Sequence, residues 1–156
     1  MEGRDLTHFP NRGNPNGFKL GGQGKDNKES GNYTRHNAFL QNCLAVGHRK
    51  KGFDQNNNAG QMTISHCLAI RNEINFGFSN PYPCTLDIRH CVSLEPTGGE
   101  HLATGPDCTI TQEDNSWNGN ENTPALDGID IVQLILARRQ ADGSLPEGLQ
   151  KILENL

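Results

Sequence analysis

The sequence is short of the residues that build a broad aliphatic core. Of its 156 residues only 33% are hydrophobic and 6% aromatic, so a packed interior has to come from a narrow set of regularly spaced apolar positions. No run approaches the ~18 consecutive apolar residues of a membrane span. An excess of positive charge is missing as well. The formal net charge is -4, which argues against a general nucleic-acid binder carrying a basic patch. The opening Met1-Glu2-Gly3-Arg4-Asp5 has no apolar signal region. The chain is therefore expected either to be cytoplasmic or to lack the front of a longer secreted one. Close cysteine pairs of the zinc-binding kind are absent, and five cysteines cannot all pair within one chain.

What is abundant is glycine and asparagine, which favour tight turns over long helices. The length fits one domain on the usual prior of roughly 100–200 residues. In residues 1–35 Pro10, Gly13, Pro15, Gly17, Gly21, Gly22 and Gly24 break any helix, and Lys25 to Ser30 reads as a polar loop. A short strand is predicted at Gly17 to Leu20. There Lys19 stands between two glycine-bearing turns, in Asn16-Gly17-Phe18-Lys19-Leu20-Gly21-Gly22. An ammonium is costly to bury, so Lys19 is either an exposed strand residue or a group with chemistry to perform.

From residue 37 the sequence repeats. Leu40-Gln41-Asn42-Cys43-Leu44-Ala45-Val46 is answered by Ile64-Ser65-His66-Cys67-Leu68-Ala69-Ile70 and then by Ile88-Arg89-His90-Cys91-Val92-Ser93-Leu94, with Cys43, Cys67 and Cys91 spaced by 24 each time. Gly52-Phe53 is answered by Gly77-Phe78, and Asn-rich turns follow or precede them at Asn56-Asn57-Asn58 and Asn72 to Asn75. A period in the range of roughly 20–50 residues marks a solenoid or array. No copy has room for two helices, and the leucine and asparagine spacing of a leucine-rich repeat is lacking. Short β-branched runs bounded by Gly, Asn and Pro point to strands.

The predicted fold is all-β: a parallel β-helix of ~24-residue coils with equivalent side chains about 4.8 Å apart. Stacked Cys43, Cys67 and Cys91 form an inward ladder of small apolar groups, and asparagines hydrogen-bond from coil to coil. Cys84 and Cys108 fall outside this ladder. His66-Cys67 and His90-Cys91 invite a metal reading, but neighbours on a strand face opposite ways, so these residues are not assigned as ligands.

After Leu94 the period weakens. Cys108-Thr109-Ile110-Thr111 and Asn115-Ser116-Trp117-Asn118 suggest one more coil after a longer loop, Glu95 to Asp107. Trp117 either closes the stack or offers a platform to a sugar ring, with closure favoured by the area it buries. In the tail, Ile129, Val132, Leu134, Ile135 and Leu136 lie between Asp127 and Asp130 on one side and Arg138 and Arg139 on the other. This is the helix-dipole arrangement, stopped at Asp142-Gly143. Ser144 to Glu147 reads as a capping box opening a second short helix with Leu149, Ile152, Leu153 and Leu156. These segments are expected to form a short helical C-terminal cap. The domain is read as one unit, residues 1–156, with coils over 14–118 and a cap and tail over 119–156.

Several of these stretches together resemble a known family. Asn16-Gly-Phe-Lys-Leu-Gly-Gly22, Asn42-Cys43-Leu44-Ala45, Lys51-Gly52-Phe53-Asp54-Gln55-Asn56-Asn57-Asn58 and Asn75-Phe76-Gly77-Phe78 are similar, in order, to pectate lyases of polysaccharide lyase family 9. The resemblance covers about residues 14–118. It implies a right-handed parallel β-helix, acting extracellularly and as a monomer, that cleaves polygalacturonate (pectin) by β-elimination with calcium assistance. It also implies that the lysine of the Gly-Phe-Lys-Leu-Gly-Gly motif, here Lys19, is the proton acceptor. Taking the proton from C5 of a uronate needs a base near that carbon and a cation for the charge growing on the adjacent carboxylate. An amine serves as base only when neutral.

One family feature is missing. The Asp-Asp-Gly-x-Asp motif that supplies calcium ligands does not occur, and only Asp5 precedes Lys19. Calcium takes about six to eight oxygens, so no metal ligand is assigned. The chain is expected to be a fragment without the calcium site, weak or inactive alone. Asp54 has two readings, a groove residue holding substrate or a turn former. Arg49, Lys50 and Lys51 either bind uronate carboxylates or form a solvated turn. A non-catalytic carbohydrate-binding or structural β-helix is the alternative function. A glycoside hydrolase would need paired carboxylates, and Asp54 and Asp87 are not evidently a pair.

Overall fold

The structure, a computed structural model, describes residues 15–22, 31, 33–80, 82–119 and 130–154. The expectations for residues 1–14, the loop Lys25 to Ser30, Asp127, Ile129 and Leu156 lie outside them.

The chain winds as a parallel β-solenoid. Its first full coil is β2 (Ala38–Gln41), β3 (Leu44–Val46) and β4 (Lys51–Asp54). The second is β5 (Gln61–Ser65), β6 (Leu68–Ile70) and β7 (Ile74–Phe78), and the third is β8 (Cys84–Arg89), β9 (Val92–Leu94) and β10 (Glu100–Thr104). The short β1 (Phe18–Lys19) belongs to the coil before, and β11 (Cys108–Glu113) begins the coil after. Coiling stacks these strands into three parallel sheets. Sheet I runs β1-β4-β7-β10, sheet II runs β2-β5-β8-β11 and sheet III runs β3-β6-β9.

Each bend uses one residue in the left-handed region. Between sheets II and III this residue is Asn42, His66, His90 and then Asp114, with φ of 55, 51, 49 and 49°. Between sheets III and I it is Gly47, Arg71 and Glu95, with φ of 69, 53 and 45°. Glycine and asparagine take this conformation at least cost, whereas the others need the neighbouring coils to hold them.

Sheets II and III keep the period of 24: Ala38 pairs with Met62 and that with Leu86, while Leu44 pairs with Leu68 and that with Val92. Sheet I does not. Phe18 pairs with Phe53, Phe53 with Phe76 and Phe76 with Leu102. The expected match of Gly52-Phe53 with Gly77-Phe78 is therefore displaced by two residues, because the bends before and after sheet I vary in length from coil to coil. The same drift hides β10 inside the stretch Glu95 to Asp107 expected to be a loop.

Inside, Phe18, Phe53 and Phe76 stack with ring centroids 5.0 and 4.9 Å apart and planes within 7°. Trp117 packs against this core, its ring 5.1 Å from Phe76. Cys67 and Cys91 are buried among Met62, Ile64, Leu86 and Ile88, and Cys43 packs against them, as the ladder predicts. Cys84 and Cys108 form a disulfide between the first register pair of β8 and β11.

The asparagines do hydrogen-bond between coils, but mostly to backbone. Asn72 accepts from His48 N at 2.9 Å and donates to Ala45 O at 3.0 Å. Asn115 accepts from Cys91 N and donates to Ile88 O, both at 3.0 Å. Stacking of equivalents fails because the positions 24 residues either side of Asn72 are His48 and Pro96.

The helical cap is present, and it lies along the side of sheet III. There Ala45 and Ala69 face inward, so the aliphatic rows Leu44-Leu68-Val92 and Val46-Ile70-Leu94 face out. Helix α2 (Glu147–Glu154) covers these rows with Leu149, Ile152 and Leu153, joined by Leu145. Helix α1 (Ile131–Leu136) is N-capped by Asp130, whose carboxylate accepts from Val132 N at 3.0 Å and Gln133 N at 3.2 Å. Its first residue, Ile131, packs on this face, while Val132, Ile135 and Leu136 are exposed. No helix among the described residues is long and apolar enough to cross a membrane.

Candidate active site

Lys19 stands on the outer face of sheet I, exposed at the end of β1. Phe18 fixes this orientation: its ring points inward onto Phe53, so the next side chain points out. A two-residue strand is a weak element, and several cross-coil bonds hold it. The amides of Gly17 and Leu20 donate to Lys51 O and Asp54 O, each at 2.9 Å. Asn58 Nδ2 donates to Leu20 O at 2.8 Å, and Asn56 Nδ2 donates to Gly21 O. The Asn-rich turn of the next coil thus clamps the C-terminal end of the lysine motif, and Lys51 of β4 holds its N-terminal end.

Asp54 is the register partner of Lys19, which puts both on one face of the sheet. It is the last residue of β4 and is buried. One carboxylate oxygen accepts from Asn16 Nδ2 at 2.6 Å, the other from Lys51 Nζ at 3.0 Å. Asn16 also accepts from Lys51 N at 3.0 Å through its own Oδ1. Lys51 reaches further, to Asn80 Oδ1 at 3.1 Å, and Asn80 donates to Asn57 Oδ1 at 2.8 Å. The Lys51–Asp54 pair is well shielded, with side chains 18% and 6% exposed.

Of the predicted substrate-binding residues, then, Lys51 and Asp54 lie together beside the strand of Lys19. Arg49 and Lys50 sit in the exposed bend before β4, and Lys50 pairs with Glu73 at 2.9 Å. Asn16 and Asn80 were not singled out from the sequence. Asn16 is set beside Lys51 by the pairing of Phe18 with Phe53, a register that no short motif records. Asn80 lies where the period fails and gives no signal.

The same residues would have to supply any calcium ligands near Lys19. Both oxygens of Asp54 are engaged by nitrogen donors, and among the described residues no three His, Cys, Asp or Glu side chains converge to hold a metal. The described donor set does not fit a calcium ion.

Two cavities lie away from Lys19. One, of about 480 Å³, is bounded by Asn42, His66, His90 and Asp114 on one side and α2 on the other. Its His66 and His90 rings are 5.0 Å apart. Burial, and then the neighbouring His90, lower the pKa of His66 below the ordinary 6.5. The other cavity, of about 680 Å³, is bounded by β10, Gln112 and Trp117. The thiol ladder offers no nucleophile. For Cys67 the hydrogen bond with Cys43 pulls the pKa down, but the bond with Cys91 and burial outweigh it and push it up to about 12. The hydrogen bond to Cys67, then burial, raise that of Cys43 strongly.

Three stacked parallel sheets wound coil upon coil define the class: a parallel β-helix. The chain belongs to the Pel9A-like right-handed β-helix family, whose family model matches residues 2–92. It is similar to pectate lyase L of Dickeya dadantii (strain 3937), 34% identical over 141 residues, which are 86% of this chain and 29% of that protein. It is also similar to pectate lyase PEL9 of Emericella nidulans, 29% identical over 147 residues, 92% of this chain and 33% of that one. The crystal structure of pectate lyase Pel9A aligns with a TM-score of 0.59 at 31% identity, covering 94% of this chain and 33% of that chain. The chain thus spans about a third of the length of the relatives it matches.

Proposed function

We propose that this chain carries the proton-abstracting lysine and part of the substrate face of a secreted, monomeric pectate lyase acting on polygalacturonate. The observation that carries this reading is Lys19, exposed on sheet I within the family's Gly-Phe-Lys-Leu-Gly-Gly motif and beside Lys51 and Asp54. In its neutral form the Lys19 amine takes the proton from C5 of a galacturonate unit. The electrons of that bond form the C4–C5 double bond, and the C4–O4 glycosidic bond breaks, leaving an unsaturated uronate on one product. Arg49 and Lys50 offer positive charge to neighbouring carboxylates along the chain. Lys51 and Asp54 bound the subsite next to Lys19. Calcium is the assisting cation in this reading of the family, and no step is assigned to it because the described residues do not hold it. The Cys84–Cys108 disulfide supports an oxidising, extracellular setting.

The test is the absorbance of unsaturated uronate released from polygalacturonate, with and without calcium, by the chain and by its Lys19→Ala variant. The chain alone is expected to give no calcium-dependent rise. A rise abolished by Lys19→Ala would support the base and show a cation site in this chain after all. A rise that survives Lys19→Ala would overturn Lys19 as the base. Polygalacturonate binding with no turnover and no response to Lys19→Ala would favour a non-catalytic carbohydrate-binding β-helix.

A further inference from the structure

We propose that Lys51 is a positioning residue for Lys19: it holds the Asp54 carboxylate so that Lys19 keeps a usable lone pair. The inference rests on Lys19 being the base. Lys19 and Asp54 are register partners on adjacent parallel strands, so their side chains leave the same face about 4.8 Å apart. A free carboxylate at that separation favours the ammonium form of a neighbouring amine, and an ammonium cannot accept a proton.

The geometry directs Asp54 elsewhere. Its two oxygens take Asn16 Nδ2 at 2.6 Å and Lys51 Nζ at 3.0 Å, while Lys19 forms an ion pair with no described residue. Lys51 can reach this position because Gly77, the register partner of Asp54, has no side chain. A Cβ at Gly77 would overlap Lys51 Cδ. The ammonium is then anchored from the next coil, by Asn80 Oδ1 at 3.1 Å, with Asn80 itself held by Asn57 Oδ1 at 2.8 Å and by Gln55 Oε1 on its amide at 3.2 Å. The carboxylate beside Lys19 is thus neutralised by a partner that cannot swing away without breaking bonds in two coils.

The other titratable groups along β1 do not replace this arrangement. The His48 ring packs under Gly17, and burial lowers its pKa, so it adds no charge at neutral pH. The His36 ring lies near Gly21, with Nε2 3.3 Å from Gly22 O. Lys50 is turned to Glu73.

Competitive acetylation of the full chain at pH 8, read peptide by peptide by mass spectrometry, reports the neutral fraction of each lysine. Lys151 on α2 serves as the internal reference. With Lys51→Met, Asp54 turns to Lys19, and Lys19 labelling slows about three- to tenfold relative to Lys151. Adding Asp54→Asn to Lys51→Met returns the rate to within about twofold of the parent, which loss of structure alone would not do. Lys51→Gln, which keeps a hydrogen-bond donor without the charge, carries the same expectation should Lys51→Met fail to fold. Lys19 labelling that is unchanged or faster in a folded Lys51 variant overturns the proposal. The readout needs no turnover, so it is separate from the product assay: loss of the labelling effect removes the role of Lys51 and leaves that of Lys19 to be decided there.

Discussion

At residue 66 the bend demands a left-handed backbone, and the sequence supplies a histidine with φ of 51°. Its coil equivalents are Asn42, His90 and Asp114, of which asparagine suits the conformation best. Its folded pKa lies below the ordinary value, by burial and then by His90. The unfolded chain therefore binds the proton more readily. Stability from this group is complete above about pH 6.5 and is lost as the pH falls through the lower folded value. His66→Asn keeps the bend and removes the titration. Thermal melts at pH 7 and pH 5 should show a drop that is smaller in His66→Asn by about one or two degrees. An equal drop would mean that His66 does not couple folding to protons. At this scale Lys19 was legible because its motif is local. The partnership of Asp54 with Asn16 was not, because it depends on a register 38 residues apart that no short motif records.

Among the elements, sheet III shows how a pattern can be read and still be placed incompletely. The aliphatics of Leu44-Ala45-Val46 and its repeats were recognisable, and a half-buried strand would turn them inward. Here the small Ala45 and Ala69 face the core, and the large residues wait for α2. A sheet buried on both faces gives up the simple alternation, which is why the sequence could not say which side the cap covers. Leu149 is the centre of that contact, buried against the sheet. Leu149→Asp places a charge among aliphatics and is expected to cost about 2–5 kcal/mol. The melting temperature should fall by several degrees or more, with α2 gaining amide exchange ahead of the coils. Full protection of α2 in that variant would contradict the packing. Strand β10 was missed for a related reason: sheet I tolerates loops of unequal length, so its strands drift off the period kept by sheets II and III.

For the whole molecule, the repeat alone dictates a solenoid, because 24 residues make one coil of three short strands and nothing larger. Membership of the Pel9A-like family agrees with that geometry. The proposed function rests not on the coil as such but on one row on sheet I, where Lys19, Asp54, Gly77 and Ala103 follow each other across four strands. In that proposal, the small residues at the far end of this row leave room for a polysaccharide to lie across the strands. The most direct measurement is therefore an amide chemical-shift titration of the chain with oligogalacturonate. The account predicts shifts concentrated at Phe18 to Leu20, Lys51 to Asp54, Gly77 and Ala103. Shifts centred instead on Asn42, His66, His90 and Asp114, or on the Trp117 cavity, would contradict it, as would the absence of any shift up to the solubility limit of the sugar.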